Sequence, residues 1–298
     1  MTEMTETSTK PSLLRTFLKV SLIVAGSLIG VAIVAVVVRP EVMIFHPLPG
    51  AGHTPDERGW VYERVEIATP DGETLIGWYL PAQSVPARPE AEVGVVLYCH
   101  GNAGNIGGRL PALEGLIGLG QAVLIFDYRG FGESTGRPTV AGTRTDVQAA
   151  WDWLLARGYA PDRIVVWGHS LGGAIAIDQA ARASEAGTPP AALVVEGSFT
   201  SAVELGKEMH PLLPVGWFAG RIEYPSRELI AKVDAPILIA HATDDELIGF
   251  HHGEALHEAS GTPEPLIELS GGHNGGHLTQ ADLRPRVVEF LARALTRR

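Results

Sequence analysis

The sequence has 298 residues and is 45% hydrophobic and 19% charged, which suits either one large α/β domain with a full core or two smaller domains. Its formal net charge of -11 argues against a nucleic-acid partner and against broad adhesion to anionic lipid surfaces. The single cysteine, Cys99, excludes an intrachain disulfide and a zinc–thiolate site.

An uncharged apolar run covers residues 20–38 and is long enough, at helical rise, to cross a bilayer. A cleaved signal peptide is the alternative, but the apolar core of such a peptide usually has only roughly 7–15 residues. Three basic residues precede the run: Lys10, Arg15 and Lys19. They predict a cytoplasmic tail over 1–19, a single-pass anchor over 20–38 and an extracytoplasmic domain over 39–298.

The chain after the anchor begins with a short apolar connector over 43–47 and then changes to strand-like runs. Eight strands are predicted, at 61–68, 75–80, 93–99, 122–126, 163–167, 192–195, 236–240 and 265–269. Helices are predicted between the later strands at about 108–119, 143–157 and 171–183, and after the last strand at about 282–296. The first two strands read as an antiparallel pair, and the alternation that follows predicts a mostly parallel sheet with helices on both faces.

A Gly-x-Ser-x-Gly turn lies between the strand at 163–167 and the helix at 171–183. The pattern is typical of a nucleophile elbow, in which Gly168 and Gly172 remove side chains that would clash at a sharp turn. Ser170 would then stand at the apex, where a base can reach its hydroxyl. The N-terminus of the following helix would favour negative charge beside it.

A Gly-rich loop over 99–105 follows the first long apolar strand and is a candidate oxyanion hole. We assign the two backbone N–H donors to Leu171, directly after the nucleophile, and to Asn102, with Ala103 as the alternative for the second donor. The competing interpretation is an ordinary strand-to-helix turn, and only the elbow favours the catalytic one.

The remaining groups of a catalytic triad are expected on two later loops at the same edge of the sheet. Three acids compete in the loop after the strand at 236–240: Asp244, Asp245 and Glu246. The loop after the last strand carries His273 between glycine pairs, with His277 as the alternative base. The order serine, acid, histidine is the order found in α/β-hydrolases.

Three other features have competing structural explanations. The insertion over about 198–232 is read as a short cap that contributes an acyl-chain pocket, or as a helical excursion that packs on the domain. The Gly-rich segment over 127–134 is read as a structural loop that can line the pocket. The other nine histidines form no convincing metal set, since His251 and His252 are adjacent and not at helical ligand spacing. No metal and no cofactor is therefore predicted.

Several motifs together resemble those of a known family: HGNAGN at 100–105, DYRGFGES at 127–134, GHSLGG at 168–173, HATDDELI at 241–248 and GGHN at 271–274. The chain is identified as a member of the α/β-hydrolase superfamily and is similar, within it, to Bem46-like membrane-anchored serine hydrolases. The resemblance covers about 43 to the C-terminus, plus the anchor, and implies Ser170 as nucleophile, Asp245 as acid and His273 as base. Three positions depart from the family pattern: Ala242, Gly249 and Gly275.

The expected function is a membrane-anchored serine hydrolase that cleaves carboxylic ester or thioester bonds through an acyl-serine intermediate. Its substrates would be acyl esters or thioesters, lipid-derived ones included, since the resemblance extends to thioesterases that act on lipidated proteins. Two alternatives are kept: a serine peptidase of the same fold, and a non-catalytic hydrolase-like binding protein, which would lack a member of the triad.

Overall fold

A computed structural model describes residues 13–82, 94–218, 222–275 and 277–296. Its central sheet has eight strands: β1 (Glu63–Ala68), β2 (Thr74–Leu80), β3 (Val95–Cys99), β4 (Ala122–Phe126), β5 (Ile164–His169), β6 (Ala192–Glu196), β7 (Ile237–Ala242) and β8 (Ile267–Leu269). Their order across the sheet is β8-β7-β6-β5-β3-β4-β2-β1. Strand β2 runs antiparallel to β1 and β4, and all other pairs are parallel. The predicted opening hairpin and mostly parallel sheet are both confirmed.

The described helices are α1 (Leu13–Val38), α2 (Leu110–Ile117), α3 (Val140–Ala156), α4 (Leu171–Glu185), α5 (Ala202–Met209), α6 (Ser226–Ile230), α7 (Phe250–Ser260), α8 (Gly272–Gly275) and α9 (Arg284–Thr296). Buried side chains of α3, α4 and α7 pack on one face of the sheet, and those of α2 and α9 pack on the other. Strands β3 to β7 are buried along their whole length, as a sheet covered on both faces requires. Helix α7 was not predicted from the sequence.

Helix α1 includes the whole run over 20–38 for which a membrane anchor was predicted. The side chains at 29 and 31–38 lie outside the described residues. Among the residues that are described, no helix is long and apolar enough to cross a membrane.

The connector over 43–47 has more structure than the sequence predicted. A 3-10 turn, Pro40–Met43, leads into a two-residue strand, His46–Pro47, which pairs in parallel with Ala103–Gly104. The N–H of His46 donates to the carbonyl oxygen of Asn102 at 2.9 Å, and the N–H of Leu48 donates to that of Gly104 at 2.9 Å. The segment therefore fixes the loop that was predicted to hold the oxyanion.

Candidate active site

Ser170 occupies the sharp turn between β5 and α4. Its φ of 58° and ψ of -124° make it the one non-glycine residue with positive φ in the described part of the chain. A Cβ on Gly168 would lie 2.1 Å from the carbonyl oxygen of Gly172, and one on Gly172 would lie 1.9 Å from that of Cys99. Backbone atoms cannot yield at such distances, so both positions require glycine. The serine is held in a conformation that L-residues rarely adopt, which is typical of a functional site.

Three predicted side chains form one hydrogen-bonded chain across three loops. His273 Nε2 lies 2.9 Å from Ser170 Oγ, and His273 Nδ1 lies 2.8 Å from Asp245 Oδ2. All three side chains are largely buried. The carboxylate is placed to hold the imidazole with its proton on Nδ1, which leaves Nε2 free to accept the serine proton.

The surroundings of Asp245 keep its carboxyl ionised. Oδ1 accepts hydrogen bonds from the N–H groups of Leu247 at 2.9 Å and Ile248 at 2.8 Å. Burial alone would raise the pKa of Asp245, but hydrogen bonds from His241, His273 and the Ile248 N–H outweigh it and hold the pKa well below its usual range. A negative charge is thus available to stabilise an imidazolium on His273.

The two competing acids bind the backbone of the histidine loop. Asp244 accepts from the N–H of Gly271 at 3.2 Å, and Glu246 Oε2 accepts from the N–H of His273 at 3.0 Å. The acid loop therefore binds the histidine loop with three consecutive carboxylates, of which only Asp245 contacts the imidazole. The hydroxyl of Ser170 bonds His273 and not the alternative base, His277, whose ring lies 5.2 Å from that of His169.

The two residues assigned to the oxyanion hole, Asn102 and Leu171, line the same cavity as Ser170. Leu171 is the first residue of α4, so its N–H has no acceptor within the helix. The side chain of Asn102 donates to the carbonyl oxygen of Ile44 at 2.9 Å, which fixes the backbone of its loop. The alternative residue, Ala103, also lines the cavity.

The cavity above Ser170 has a volume of about 280 Å³ and is mainly apolar. Residues of the insertion line much of it: Phe199, Ala202, Leu205, Gly206, Met209, His210, Leu213, Val215 and Ile222. The connector contributes Met43, Ile44 and His46. Sequence reasoning did not assign the connector to the site, because the pairing between 46–47 and 103–104 is not visible in either segment alone.

Arg109 introduces a positive charge into this apolar cavity. Its Nη2 donates to the carbonyl oxygen of Ala103, while its buried Nε has no hydrogen-bond partner. None of the ion pairs among the described residues includes its guanidinium, whose charge acts on the buried Asp127 only at longer range. The cavity can therefore offer an unpaired cation to an anionic ligand.

The segment over 127–134 is a structural loop, as expected, but none of its residues lines the cavity. Arg129 is buried and pairs with Asp71 at 2.7 Å and Asp146 at 2.8 Å. Burial raises the pKa of Asp127 to about 7, although its Oδ1 accepts from the N–H of Ile106. Burial also lowers the pKa of His100 to about 3, so its ring is neutral at neutral pH.

Two groups near the site were missed in the sequence. Glu196, at the end of β6, is fully buried, accepts from Trp167 Nε1 at 2.8 Å and from the N–H of Leu278 at 2.6 Å, and so ties the elbow strand to the end of the histidine loop. Glu208 on α5 lies beside His251 and His252, which sequence spacing had dismissed as metal ligands. The sequence did not reveal either glutamate, because the partners of each lie in distant segments of the chain.

Comparisons with known proteins indicate the same fold. The chain matches a family model described as alpha/beta hydrolase fold over residues 94–215. It is 37% identical to the uncharacterized protein Rv2307c of Mycobacterium tuberculosis, across 83% of this chain and 88% of that protein. It is 36% identical to the lysophosphatidylserine lipase ABHD12 of Danio rerio, across 58% of this chain and 48% of the lipase. The Pyrococcus furiosus esterase Pf2001 shares the fold, with a TM-score of 0.65 and 22% identity over 85% of this chain and 98% of that chain.

Proposed function

Because the chain belongs to the α/β-hydrolase fold family, we propose that it is a membrane-anchored serine hydrolase of carboxylic esters or thioesters. The observation that carries the proposal is the hydrogen-bonded chain from Asp245 through His273 to Ser170, at the mouth of an apolar cavity. A binding protein without catalysis would have no need of a strained serine with a base and an ionised acid behind it.

The proposed reaction has two halves. Ser170 Oγ attacks the substrate carbonyl while His273 Nε2 takes its proton, and the N–H groups of Asn102 and Leu171 bind the oxygen that becomes negative. The alcohol or thiol then leaves with the proton from His273, and the acyl group remains on Ser170. A water molecule then attacks the acyl-serine while the same nitrogen takes its proton. His273 passes this proton to Ser170 Oγ as the bond between Oγ and the acyl carbon breaks, which releases the acid and restores the serine. Asp245 stabilises the imidazolium in both halves.

The cavity supports an acyl substrate with an anionic alcohol part. Its volume of about 280 Å³ lies near the lower end of ligand pockets, which begin at roughly 300 Å³, so a short or medium chain fits within it. Arg109 would bind a phosphate or carboxylate of the leaving group. A relative named as a lysophosphatidylserine lipase makes lysophospholipids a suitable first substrate class, although the chain spans only 48% of that lipase's length.

The membrane part of the proposal keeps the tail at 1–19 in the cytoplasm, the anchor at 20–38 and the domain at 39–298 outside. In the described part of α1, apolar side chains point outward on several sides, with Phe17, Leu22, Ile23 and Leu28 each at least 65% exposed. An isolated helix that is apolar all round is stable in lipid rather than in water. Basic residues before the run support the orientation.

Labelling with a fluorophosphonate probe tests the enzyme assignment. Wild type should be labelled and should hydrolyse short p-nitrophenyl esters, and Ser170→Ala should lose both. Ser184→Ala is a matched control, because this serine lies on the same helix and its hydroxyl bonds the Ala180 carbonyl and the Asp234 N–H rather than any triad residue. Labelling that survives Ser170→Ala would refute the nucleophile, and an unlabelled wild type would favour the binding protein. Faster cleavage of peptide amides than of esters would favour the peptidase.

A further inference from the structure

A second cluster of functional side chains lies outside the active site, where the insertion meets the body of the domain. Glu208 is on α5, next to Met209, which lines the catalytic cavity. His251 and His252 are in the first turn of α7, which begins at Phe250. One nitrogen of each ring and one carboxylate oxygen lie within 4.8 Å of one another.

The distances in this cluster match those of a metal site. His251 Nε2 lies 3.2 Å from Glu208 Oε1, and His252 Nε2 lies 3.2 Å from Glu208 Oε2. Ligand atoms bound tetrahedrally to one ion at about 2.0 Å are separated by about 3.3 Å. One nitrogen of each ring lies within 4.8 Å of the other, so reaching that separation takes a closure of at most about 1.5 Å, which His251 can supply because its side chain is 60% exposed.

The two histidine rings converge in a way that a helix does not by itself produce. Successive side chains on a helix diverge by about 100°, so adjacent histidines ordinarily point apart. Here the ring centroids are 4.3 Å apart, with an angle of 31° between the planes, and both rings face the same carboxylate. The three groups come from two helices, so the spacing of residues within one helix could not predict that they converge.

His252 is also held in the orientation that a ligand requires. Its side chain is 1% exposed, and its Nδ1 lies 2.8 Å from Thr200 Oγ1, whose hydroxyl donates to Glu204. The Thr200 backbone N–H also points at Nδ1, at 3.3 Å, and without an ion the ring proton is then on Nε2, which donates it to Glu208. Binding of an ion at Nε2 requires the proton on Nδ1, where Thr200 Oγ1 can accept it when the longer N–H contact is given up. A hydrogen bond of this kind on the second ring nitrogen orients most metal-ligating histidines.

We propose that Glu208, His251 and His252 form a binding site for one divalent transition-metal ion, with Zn²⁺ as the best match, and that the ion ties α5 to α7. Two imidazoles and one carboxylate are donors that Zn²⁺ accepts, and a water molecule can complete four-coordination because Glu208 is 47% exposed. Since Leu205, Gly206 and Met209 of α5 line the cavity, the ion fixes one wall of the catalytic pocket. The inference does not depend on the proposed reaction.

Metal titration of the full-length protein tests the site. Zn²⁺ affinity is measured by calorimetry, and Co²⁺ is used as a probe because four-coordinate Co²⁺ absorbs visible light. His251→Ala and Glu208→Gln should each weaken binding at least about 10-fold, as loss of even an outer contact typically does. His252 is left intact because it is buried. His257→Ala is the matched control: it is on α7, and its ring bonds the Glu264 carbonyl instead.

The result that overturns the site is wild-type affinity and stoichiometry in both ligand variants, which would leave an ordinary hydrogen-bonded cluster. Weak binding elsewhere on the surface is common to all variants, so the difference from wild type is the measurement. Hydrogen exchange tests the tie between the helices: Zn²⁺ should slow exchange of the amides of α5 in wild type and not in His251→Ala. Metal binding without slower exchange would refute that tie.

Discussion

Replacing Asp245 with asparagine separates the role of its charge from that of its shape. Oδ1 accepts two backbone N–H groups, from Leu247 and Ile248, so only the carbonyl oxygen of an asparagine fits there. Its NH₂ group must then face His273 Nδ1. Because NH₂ can only donate, it forces the imidazole proton onto Nε2, the nitrogen that should accept the proton of Ser170.

The expected loss follows from that change of tautomer. Where the acid of such a triad is replaced by its amide with the geometry intact, kcat falls by about 10⁴, which corresponds to about 5 kcal/mol of transition-state stabilisation. The two hydrogen bonds at Oδ1 keep the geometry intact here, so we expect a loss of about 10³–10⁴ in kcat. KM should change little, since Asp245 does not line the cavity.

The assay compares kcat for a short p-nitrophenyl ester between wild type, Asp245→Asn and Asp244→Asn, with Tm measured to establish that each variant folds. Asp244 is exposed and only accepts from the backbone of the histidine loop, so its amide should cost less than about 10-fold. A turnover of Asp245→Asn within about 10-fold of wild type would refute the tautomer argument. A greater loss of kcat in Asp244→Asn than in Asp245→Asn would assign the role of the triad acid to Asp244.

Three further substitutions test the elbow, the cavity and a buried acid. Gly172→Ala places a Cβ 1.9 Å from the Cys99 carbonyl oxygen and should lower the free energy of unfolding by about 1–3 kcal/mol. Gly108→Ala is the control, because open space surrounds that position and the substitution should cause no such loss. Equal losses in the two variants would contradict the steric argument. Arg109→Gln should reduce the preference for anionic over neutral lysophospholipids, and an unchanged ratio of their kcat/KM values would remove the arginine from substrate recognition. Because burial raises the folded-state pKa of Asp127 to about 7, wild type loses stability as pH rises from about 4 to about 7. Asp127→Asn should therefore raise Tm more at pH 8 than at pH 4, and a gain that does not depend on pH would contradict the shift.

The elements that the sequence predicts best are those determined by nearby residues. Continuous apolar runs give the buried strands, and the glycines at 168 and 172 mark the elbow because the clash that they avoid lies between adjacent segments. The edge at which the loops meet follows from a parallel sheet, in which all strand ends point the same way. Ser170 and His273 could thus be named from the sequence, and in the structure Ser170 Oγ lies 2.9 Å from His273 Nε2.

What could not be predicted from the residues alone depends on contacts between distant segments. Three consecutive acids look alike in the sequence. The way the acid loop packs against the histidine loop determines that Asp245 contacts the imidazole, whereas Asp244 and Glu246 accept from backbone N–H groups. The family resemblance selected the same residue. The approach of Glu208 to His251 joins two helices more than 40 residues apart, and no spacing rule reaches that far.

Removing residues 1–38 tests whether α1 brings the active site to lipid. From Val38 to Met43 the chain takes five residue steps, which can span at most about 18 Å, and Met43 already lines the cavity. If α1 is in a bilayer, the pocket opens close to its surface, and the tether raises the effective concentration of membrane-borne substrate.

The truncated protein should hydrolyse a soluble p-nitrophenyl ester within about threefold of wild type, because the hydrogen bonds of the triad to the described residues include none to the described part of the removed segment. Its turnover of an ester embedded in vesicles should fall at least about 10-fold. The two substrates are measured on the same preparations, so that damage to the fold lowers both rates and loss of the tether lowers one. Vesicle turnover equal to that of wild type would refute the tether, and an equal loss on both substrates would show instead that the helix supports the oxyanion loop through the connector.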